Sequence, residues 1–328
     1  MTKQIAVVTG AGAGIGRATV RMLASLGFDI ALLGRNEERL ADAVAELAEK
    51  HVRLLAIPVD VSDAELLRAA AARVESELGP ITVWINAAGQ AAFGPAISLD
   101  AETIQRVTNV TYLGSVYGTQ AALECMRRRG TGTIVNLGMS QVLRGLPMQS
   151  ANVAAHAAIT AFCDSLRPEI RRLGDRIDIT VVHLPSINTP RLGWSRNRTG
   201  HSLKPVGRIY EPEVAANAIS HAIFGHHREL WVGAGGVLPS IAAVLAPGLR
   251  DRFLARFGFS RQFDKVPLDA TSDTLTDSLP GAFAAHGPYE AVPYRDKGRP
   301  PLLLTAPLRL GLITGGAILA GLLLRHRR

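Results

Sequence analysis

Three glycines near the start of the chain, Gly10, Gly14 and Gly16, have the spacing of a phosphate-binding turn. They follow the apolar, β-branched residues 5–8 and precede residues 17–26, whose apolar positions recur with helical spacing. The first N–H groups of a helix have no partner within the helix, and the helix dipole favours an anion beside them. Glycine also lets a pyrophosphate approach the backbone closely. The predicted cofactor-binding residues here are Thr9, Gly10, Gly14, Ile15 and Gly16; the alternative is a purely structural turn.

Arg35 stands just after a second apolar run, residues 29–33, where a dinucleotide fold meets the adenosine ribose. An acidic residue at this point binds the free 2′-hydroxyl of NAD, whereas an arginine accommodates the 2′-phosphate of NADP. Arg35 therefore favours NADP as the cofactor. The alternative is a surface arginine at the start of the next helix, which leaves NAD open.

The elements that must position these residues alternate between strand and helix. Residues 5–8, 29–33, 52–59, 81–85, 134–137, 179–184 and 229–232 read as strands, separated by stretches of helical periodicity that include residues 17–26 and 37–50. Helices of this length between strands imply right-handed crossovers and a parallel sheet. The predicted fold class is α/β, a doubly wound parallel sheet of the Rossmann type. One core domain covers residues 1–235, and a helical extension follows it.

Five separated motifs resemble those of the short-chain dehydrogenase/reductase family and occur in the same order. They are residues 9–16 for the TGxxxGxG turn, Asp60-Val61, residues 86–89 for NNAG, Asn109, and residues 185–189 for PGxVxT. The likeness covers residues 3–233 and implies a Rossmann fold, a bound nicotinamide cofactor and oxidoreductase activity. The further cofactor-binding residues that it implies are Asp60, Val61, Asn86, Ala88, Gly89, Pro185, Ile187 and Thr189.

The catalytic stretch departs from this family pattern. An alignment without gaps places Met139 where the family has a serine, Asn152 where it has a tyrosine and His156 where it has a lysine. In the family the tyrosine, whose pKa the lysine lowers, protonates the alkoxide formed by hydride transfer. Asparagine cannot donate a proton near neutral pH, and methionine is at best a weak acceptor. The usual mechanism therefore lacks a general acid, whose contribution is typically about 10²- to 10⁴-fold.

Four residues remain as catalytic candidates: Asn109, Ser140, Asn152 and His156. Asn109 matches the asparagine of the family tetrad. Asn152 and His156 are one helical turn apart and share a face. His156 is interpreted as an acid or proton relay, or alternatively as a cleft residue without that role. Ser140 lies one residue from the family serine and reaches the site only if the loop shifts. Because no cysteine and histidine grouping has zinc-site spacing, no metal is expected.

The composition of the 328-residue chain limits its function class. It is 47% hydrophobic and 20% charged, which excludes a disordered chain. The net charge of +8 is not arranged as a basic stripe with interleaved aromatics, so nucleic-acid binding is not expected. The two cysteines, Cys125 and Cys163, fall in predicted helices and indicate a reducing, cytoplasmic environment. The early first strand leaves no room for a signal peptide.

Beyond the core, residues 236–300 read as an extension or linker and residues 301–328 as an apolar tail. Residues 310–324 are uncharged and strongly apolar, with basic residues on both flanks. This run is shorter than the roughly 20 residues that cross a bilayer, unless residues 301–308 extend it. We predict a membrane anchor; an interfacial helix and a dimer-contact helix are the alternatives.

Together these observations predict an NADP(H)-binding oxidoreductase that acts on a carbonyl or alcohol through a non-standard proton donor. The expected partners are a small-molecule substrate, held under a lid at residues 191–210, and further copies of the chain in a dimer or tetramer. Two other functions stay open. One is a catalytically silent cofactor-binding protein that acts as a sensor or partner, and the other is a non-redox lyase or cyclase in the same pocket.

Overall fold

The computed structural model describes residues 3–142, 145–233, 246–259, 262–267, 273–277, 279, 284–291 and 303–305. The strands are β1 (Ile5–Thr9), β2 (Asp29–Gly34), β3 (Leu54–Pro58), β4 (Ile81–Asn86), β5 (Ala92–Phe93), β6 (Thr131–Met139), β7 (Arg176–Leu184), β8 (Ser186–Ile187), β9 (Arg196–Asn197), β10 (His201–Leu203), β11 (Ile209–Tyr210), β12 (Glu229–Val232), β13 (Phe263–Pro267) and β14 (Leu303–Thr305). The α-helices are α1 (Gly14–Ser25), α2 (Glu37–Ala45), α3 (Ala64–Glu77), α4 (Ala101–Val107), α5 (Gly114–Met126), α6 (Ser150–Arg172), α7 (Arg191–Trp194), α8 (Pro212–Phe224) and α9 (Pro247–Phe257). A π-helical turn, Thr108–Leu113, joins α4 to α5.

Eight strands form the central sheet in the order β14-β12-β7-β6-β4-β1-β2-β3. All neighbours are parallel except β12 and β14, which are antiparallel with Leu230 opposite Thr305. The direction of winding reverses between β1 and β4, where Val7 lies opposite Trp84. In an open α/β sheet a ligand crevice forms at the carboxyl ends of the strands at such a reversal. The doubly wound parallel sheet predicted from the sequence is confirmed.

Two apolar layers, one on each face of the sheet, hold the helices in place. Alternate residues of β1 serve opposite layers: Val7 packs in the layer with α3, α5 and α6, whereas Ala6 and Val8 pack in the layer with α1, α2 and α8. A strand buried on both faces needs a continuous apolar run, which explains the unbroken hydrophobicity of residues 5–8. The strands, including their carboxyl ends, are therefore held between two packed apolar layers.

The sequence predicted which elements are present better than it predicted the residues at which they begin and end. Asp63 caps α3, because its carboxylate accepts hydrogen bonds from the N–H groups of Glu65 and Leu66. The helix expected over residues 37–50 ends at Ala45. Six described strands of two or three residues, β5, β8, β9, β10, β11 and β14, were not predicted, since so short a segment carries no periodicity.

The extension returns to the core. We call its described residues 273–277, 279 and 284–291 the strap. Leu275 of the strap is 2% exposed and packs in one cluster with Ala92 and Val107, and Ala285 packs against Ala18. Among the described residues of the extension, the expected helix is present as α9, whereas the strap is irregular and core side chains hold it.

The apolar tail is described only in part. Residues 303–305 form β14 at the edge of the central sheet, which removes them from any helix extending the apolar run. In the described ranges no helix has both the length and the apolar character needed to cross a bilayer. Residues 310–324 lie outside the described residues, and their role as a membrane anchor stays a prediction.

Candidate functional site

A cavity of about 330 Å³ opens at the carboxyl ends of β1 and β4, within the size range of small-molecule sites. The glycine turn forms part of its wall. A Cβ on Gly10 would lie 2.9 Å from the Ala88 Cα, and a Cβ on Gly16 would overlap the Gly10 carbonyl oxygen. Gly10 and Gly14 also have positive φ angles, +68° and +57°. Only glycine fits these positions, so no side chain blocks the N-terminus of α1, and the turn fits a dinucleotide.

Two predicted cofactor residues, Thr9 and Asn86, lie behind the cavity wall rather than on it. The Thr9 Oγ1 accepts hydrogen bonds from the N–H groups of Ala87 at 3.0 Å and Ala88 at 3.1 Å. The Asn86 Nδ2 donates to the Asn136 Oδ1 at 2.9 Å and so ties β4 to β6. Both side chains therefore position the ends of the strands that a cofactor would contact.

All the other predicted cofactor residues lie together on the cavity wall. They are Gly10, Gly14, Ile15, Gly16, Arg35, Asp60, Val61, Ala88, Gly89, Pro185, Ile187 and Thr189. They follow different strands of the sheet, and the parallel topology gathers the carboxyl ends of those strands at one edge. These residues would hold a nicotinamide dinucleotide, which gives or takes a hydride when bound.

The strap contacts the adenosine end of this wall. The Arg35 Nη1 donates to the carbonyl of Thr276 at 2.7 Å, and its Nη2 donates to the carbonyl of Thr274 at 2.8 Å. Arg39, one helical turn later, donates to the carbonyl of Leu279. Burial lowers the pKa of Arg35 from its ordinary value. The two arginines nearest a 2′-phosphate position are thus held by backbone carbonyls that the sequence did not reveal.

Asp60 is the one acidic side chain on the described cavity wall. Its carboxylate pairs with the Arg106 guanidinium and accepts a hydrogen bond from the Ser62 N–H at 2.9 Å. Burial acts to raise the pKa of Asp60, but these hydrogen bonds lower it overall. Arg106 in turn donates to the carbonyl of Leu275 at 2.9 Å, so the same pair also holds the strap.

Met139, at the end of β6, lies on the cavity wall, whereas the next residue, Ser140, does not. Ser140 is 3% exposed, and its N–H donates to the Leu184 carbonyl at 2.9 Å. The backbone of Ser140 is therefore held against β7. A catalytic role for Ser140 stays a prediction that its position does not support.

Asn152 lies on the wall at the start of α6, but its side-chain amide is engaged at both ends. Its Oδ1 accepts from the N–H of Ala92 at 3.0 Å, and its Nδ2 donates to the carbonyl of Ala92 at 3.1 Å. This pair of hydrogen bonds fixes β5 against α6. The amide therefore positions the cavity wall.

His156 lies one turn after Asn152 and also contributes to the wall. Its Nδ1 is buried and has no hydrogen-bond partner. Burial, followed by the charge of Arg191, lowers the pKa of His156 to about 3, although the Leu137 carbonyl acts in the opposite direction. The ring is therefore neutral at neutral pH and cannot act there as an imidazolium acid.

Asn109 belongs to the π-helical turn, where its carbonyl accepts the N–H of Gly114. Its neighbours Val110 and Thr111 are on the cavity wall, but Asn109 itself is not. π-Helical turns often occur at functional sites because they shift neighbouring side chains relative to a regular helix. The tetrad role implied for Asn109 stays a prediction.

Sequence reasoning did not assign Arg191, the first residue of α7, to the site. Arg191 lies on the cavity wall, and its Nη2 donates to the Gln90 carbonyl at 3.1 Å. Burial lowers its pKa to about 10, so the guanidinium remains charged at neutral pH. The sequence signal that could have assigned Arg191 to the site was its position two residues after Thr189, but that stretch was interpreted only as a lid.

Cationic side chains outnumber acidic ones on the described wall. The charged residues there are Arg35, Arg39, Arg191 and Lys204 against Asp60. A concave surface with this balance attracts anions, because the low dielectric of its walls strengthens the field. The cavity therefore suits a ligand that carries several negative charges.

Away from the cavity, three side chains with metal-binding chemistry lie close together at the start of α8. They are Glu211, Glu213 and His286. The His286 Nε2 lies 3.0 Å from the Glu213 carboxylate, so this group joins the strap to α8. Exposed clusters of this kind are common without an ion. No metal was predicted, and this ion-pair contact alone does not indicate one.

Comparison with known proteins agrees with this geometry. A family model described as short chain dehydrogenase matches residues 4–199. A Bacillus subtilis (strain 168) protein named as an uncharacterized oxidoreductase is 31% identical, over 80% of this chain and 75% of its own. A short-chain dehydrogenase structure from Streptomyces avermitilis has a TM-score of 0.65 at 24% identity, over 78% of this chain and 98% of that one. An actinorhodin polyketide ketoreductase structure with NADPH has a TM-score of 0.61 at 26% identity, over 68% and 91%. The chain therefore belongs to the short-chain dehydrogenase/reductase family of oxidoreductases.

Proposed function

We propose that this chain binds NADP(H) and transfers a hydride between it and a small carbonyl or alcohol compound. The observation that carries the proposal is the composition of the cavity wall. One wall contains both Arg35 and Arg39 and a glycine turn that has no room for a side chain. Family membership supports an oxidoreductase, and the related ketoreductase structure contains NADPH.

The cofactor would take over hydrogen bonds that the strap now accepts. Arg35 and Arg39 donate to strap carbonyls, and the N–H of Gly14 donates to the Ala284 carbonyl at 3.2 Å. A guanidinium and a phosphate are both ionised, whereas only the donor is ionised when a guanidinium bonds a backbone carbonyl, so the phosphate contact is the stronger of the two. The exchange of carbonyl for phosphate therefore favours the bound cofactor, and it favours NADP over NAD.

Reduction would place a hydride on the carbonyl carbon and leave an alkoxide oxygen that needs a proton. At neutral pH neither Asn152 nor the neutral ring of His156 supplies that proton readily. We assign the proton to water in the open cavity. The cationic wall stabilises the alkoxide as its charge develops. The expected turnover is slow, about 10²- to 10⁴-fold below that of a site with a general acid.

The test is an assay of the full-length protein at 340 nm. It combines NADPH with a panel of aldehydes and ketones, and NADP with the matching alcohols. Slow, protein-dependent NADPH oxidation by at least one carbonyl class is the expected result. NADPH binding without turnover across the whole panel would overturn the proposed activity.

A second candidate is a catalytically silent protein that binds the cofactor as a sensor or partner. It is favoured because the Asn152 amide forms both of its hydrogen bonds with the backbone of Ala92, and because the His156 ring is neutral. This candidate predicts the same affinity for NADPH and no turnover with any carbonyl. The 340 nm assay therefore separates the two functions.

A further inference from the structure

Arg191 carries hydrogen-bonding capacity that the described protein does not use. A guanidinium has five N–H donors. In Arg191 the Nη2 donates to the Gln90 carbonyl at 3.1 Å, and the Nε is buried without a partner. No carboxylate of a described residue forms an ion pair with it. The side chain is a cation on the cavity wall whose counter-ion the described residues do not provide.

Two arginines close to the cavity wall differ from Arg191 in this respect. Arg106 pairs with Asp60, and Arg196, from the same lid stretch, pairs with Asp273 at 2.8 Å. Placing a cation in a poorly solvated site without a counter-ion costs several kcal/mol. A folded protein that keeps such a residue on a cavity wall is prepared for an anion that arrives with a ligand.

The position of Arg191 indicates which part of the ligand carries that anion. Its carbonyl partner, Gln90, directly follows the residues 86–89 at the end of β4. Its charge also contributes to the lowered pKa of His156 on α6, so the guanidinium lies near the catalytic positions. The arginines at the adenosine end are Arg35 and Arg39, which the strap holds. Arg191 therefore serves the reacting end of the cavity.

Several apolar side chains share the cavity wall with Arg191 and with the polar Asn152 and His156. Phe93, Met139, Leu146 and Leu192 lie on it with Arg191. Apolar side chains beside a fixed cation suit a ligand that has a hydrocarbon body and an anionic group. The planar fork of a guanidinium matches a carboxylate with two parallel hydrogen bonds.

We propose that Arg191 binds a carboxylate of the substrate, so that the substrates are oxo acids or hydroxy acids with an apolar body. This inference rests on the proposed function for its redox meaning. The carboxylate-binding site itself is testable without turnover. The other source of an anionic oxygen here is the diphosphate of the cofactor, and the experiment separates the two sources.

The test uses the full-length protein saturated with NADP⁺, which cannot reduce the added carbonyls, and calorimetric titration of three acids, pyruvate, 2-oxooctanoate and benzoylformate, each beside its methyl ester. We expect at least one acid to bind about tenfold or more tightly than its ester. Arg191→Met should weaken that acid about 10- to 100-fold and leave its ester unchanged. Arg191→Lys keeps the charge but not the planar guanidinium, so its affinity for the acid should lie between those of the wild type and Arg191→Met.

The matched control is Arg198→Met. Arg198 lies in the same lid stretch, its side chain is 52% exposed and it lies 3.9 Å from Asp100, away from the cavity wall. Its acid affinity should equal that of the wild type, and thermal melting of every variant checks that the fold is kept. The affinity for NADPH should stay within about twofold in all variants, since the inference assigns no cofactor phosphate to Arg191.

Three outcomes overturn the inference: no acid binds more tightly than its ester, Arg191→Met leaves acid binding unchanged, or Arg191→Met weakens NADPH tenfold instead. The last outcome assigns Arg191 to the cofactor diphosphate. If Arg191 binds the acids but neither they nor any carbonyl of the wider panel is reduced, the proposed function fails and the carboxylate-binding site stands. If uncharged ketones are reduced but no acid binds more tightly than its ester, the inference fails and the proposed function stands.

Discussion

Gly16 shows at the scale of a single residue how the cavity depends on an absent side chain. A Cβ at this position would overlap the Gly10 carbonyl oxygen, although the backbone of Gly16 itself has no left-handed conformation. Gly16→Ala should therefore lower the free energy of unfolding by about 1–3 kcal/mol and abolish NADPH binding. Chemical denaturation and NADPH titration measure the two effects.

The control for this substitution is Gly248→Ala in α9, where a Cβ meets no atom within 4 Å. Alanine is the better helix former, so this variant should be as stable as the wild type or slightly more stable. An undiminished NADPH affinity in Gly16→Ala would show that the turn does not contact the cofactor.

His156 gives the protein a predictable dependence of stability on pH. The unfolded ring takes up a proton below its ordinary pKa of about 6.5, whereas the folded ring stays neutral down to about 3. The unfolded state binds more protons between these values, so stability falls as the pH falls through this window. Between pH 7 and pH 5 this single group should remove about 2 kcal/mol.

The measurement is the free energy of unfolding of the wild type and His156→Gln at both pH values. The variant should lose about 2 kcal/mol less than the wild type over this interval, since glutamine does not titrate. Equal losses in the two proteins would contradict the neutral, buried state of His156.

The sequence predicted a site residue correctly where excluded volume or strand order determines its position. Gly10, Gly14 and Gly16 were predictable because the turn admits no other residue. The orientation of Asn152 and Arg191 was not predictable, because each depends on a partner distant in the chain. Asn152 bonds the backbone of Ala92, and such a contact leaves no periodic or compositional signal.

At the scale of elements, the strap joins the extension to the cofactor cleft. Leu275 anchors it in an apolar cluster while the neighbouring carbonyls of Thr274 and Thr276 hold Arg35. Leu275→Ala should lower the free energy of unfolding by about 2–4 kcal/mol, as for other buried leucines. It should also tighten NADPH binding several-fold, because the strap releases Arg35 more easily.

Leu249→Ala is the matched control, since Leu249 in α9 is 67% exposed. It should leave both stability and NADPH affinity unchanged. Weaker NADPH binding by Leu275→Ala would instead mean that the strap forms part of the cofactor site rather than competing with it.

Four strands of the central sheet were the elements that the sequence predicted best. β1, β2, β4 and β12 were predicted within one residue of their ends, because a strand buried on both faces is unbroken in its apolar pattern. The strap has no such pattern. Its position depends on arginines from α2, α4 and the end of β2, so only the folded core defines it.

For the molecule as a whole, the sheet topology and the charge of the cavity act together. The reversal of strand order places the crevice, and the cationic wall sets the sign of the ligand charge. Salt should therefore weaken NADPH binding more than NADH binding, because NADPH carries the additional phosphate. Titrations at 50 mM and 500 mM NaCl measure this difference, and an equal salt effect on both cofactors would argue against a role for Arg35 and Arg39.

The most direct test of the central claim is calorimetric titration of the full-length protein with NADPH and, separately, with NADH. The structure predicts that NADPH binds at least about tenfold more tightly, since one charge-assisted phosphate contact contributes roughly 1.5–3 kcal/mol. Absence of NADPH binding, or an equal affinity for NADH, would contradict the assignment of this cavity to NADP(H).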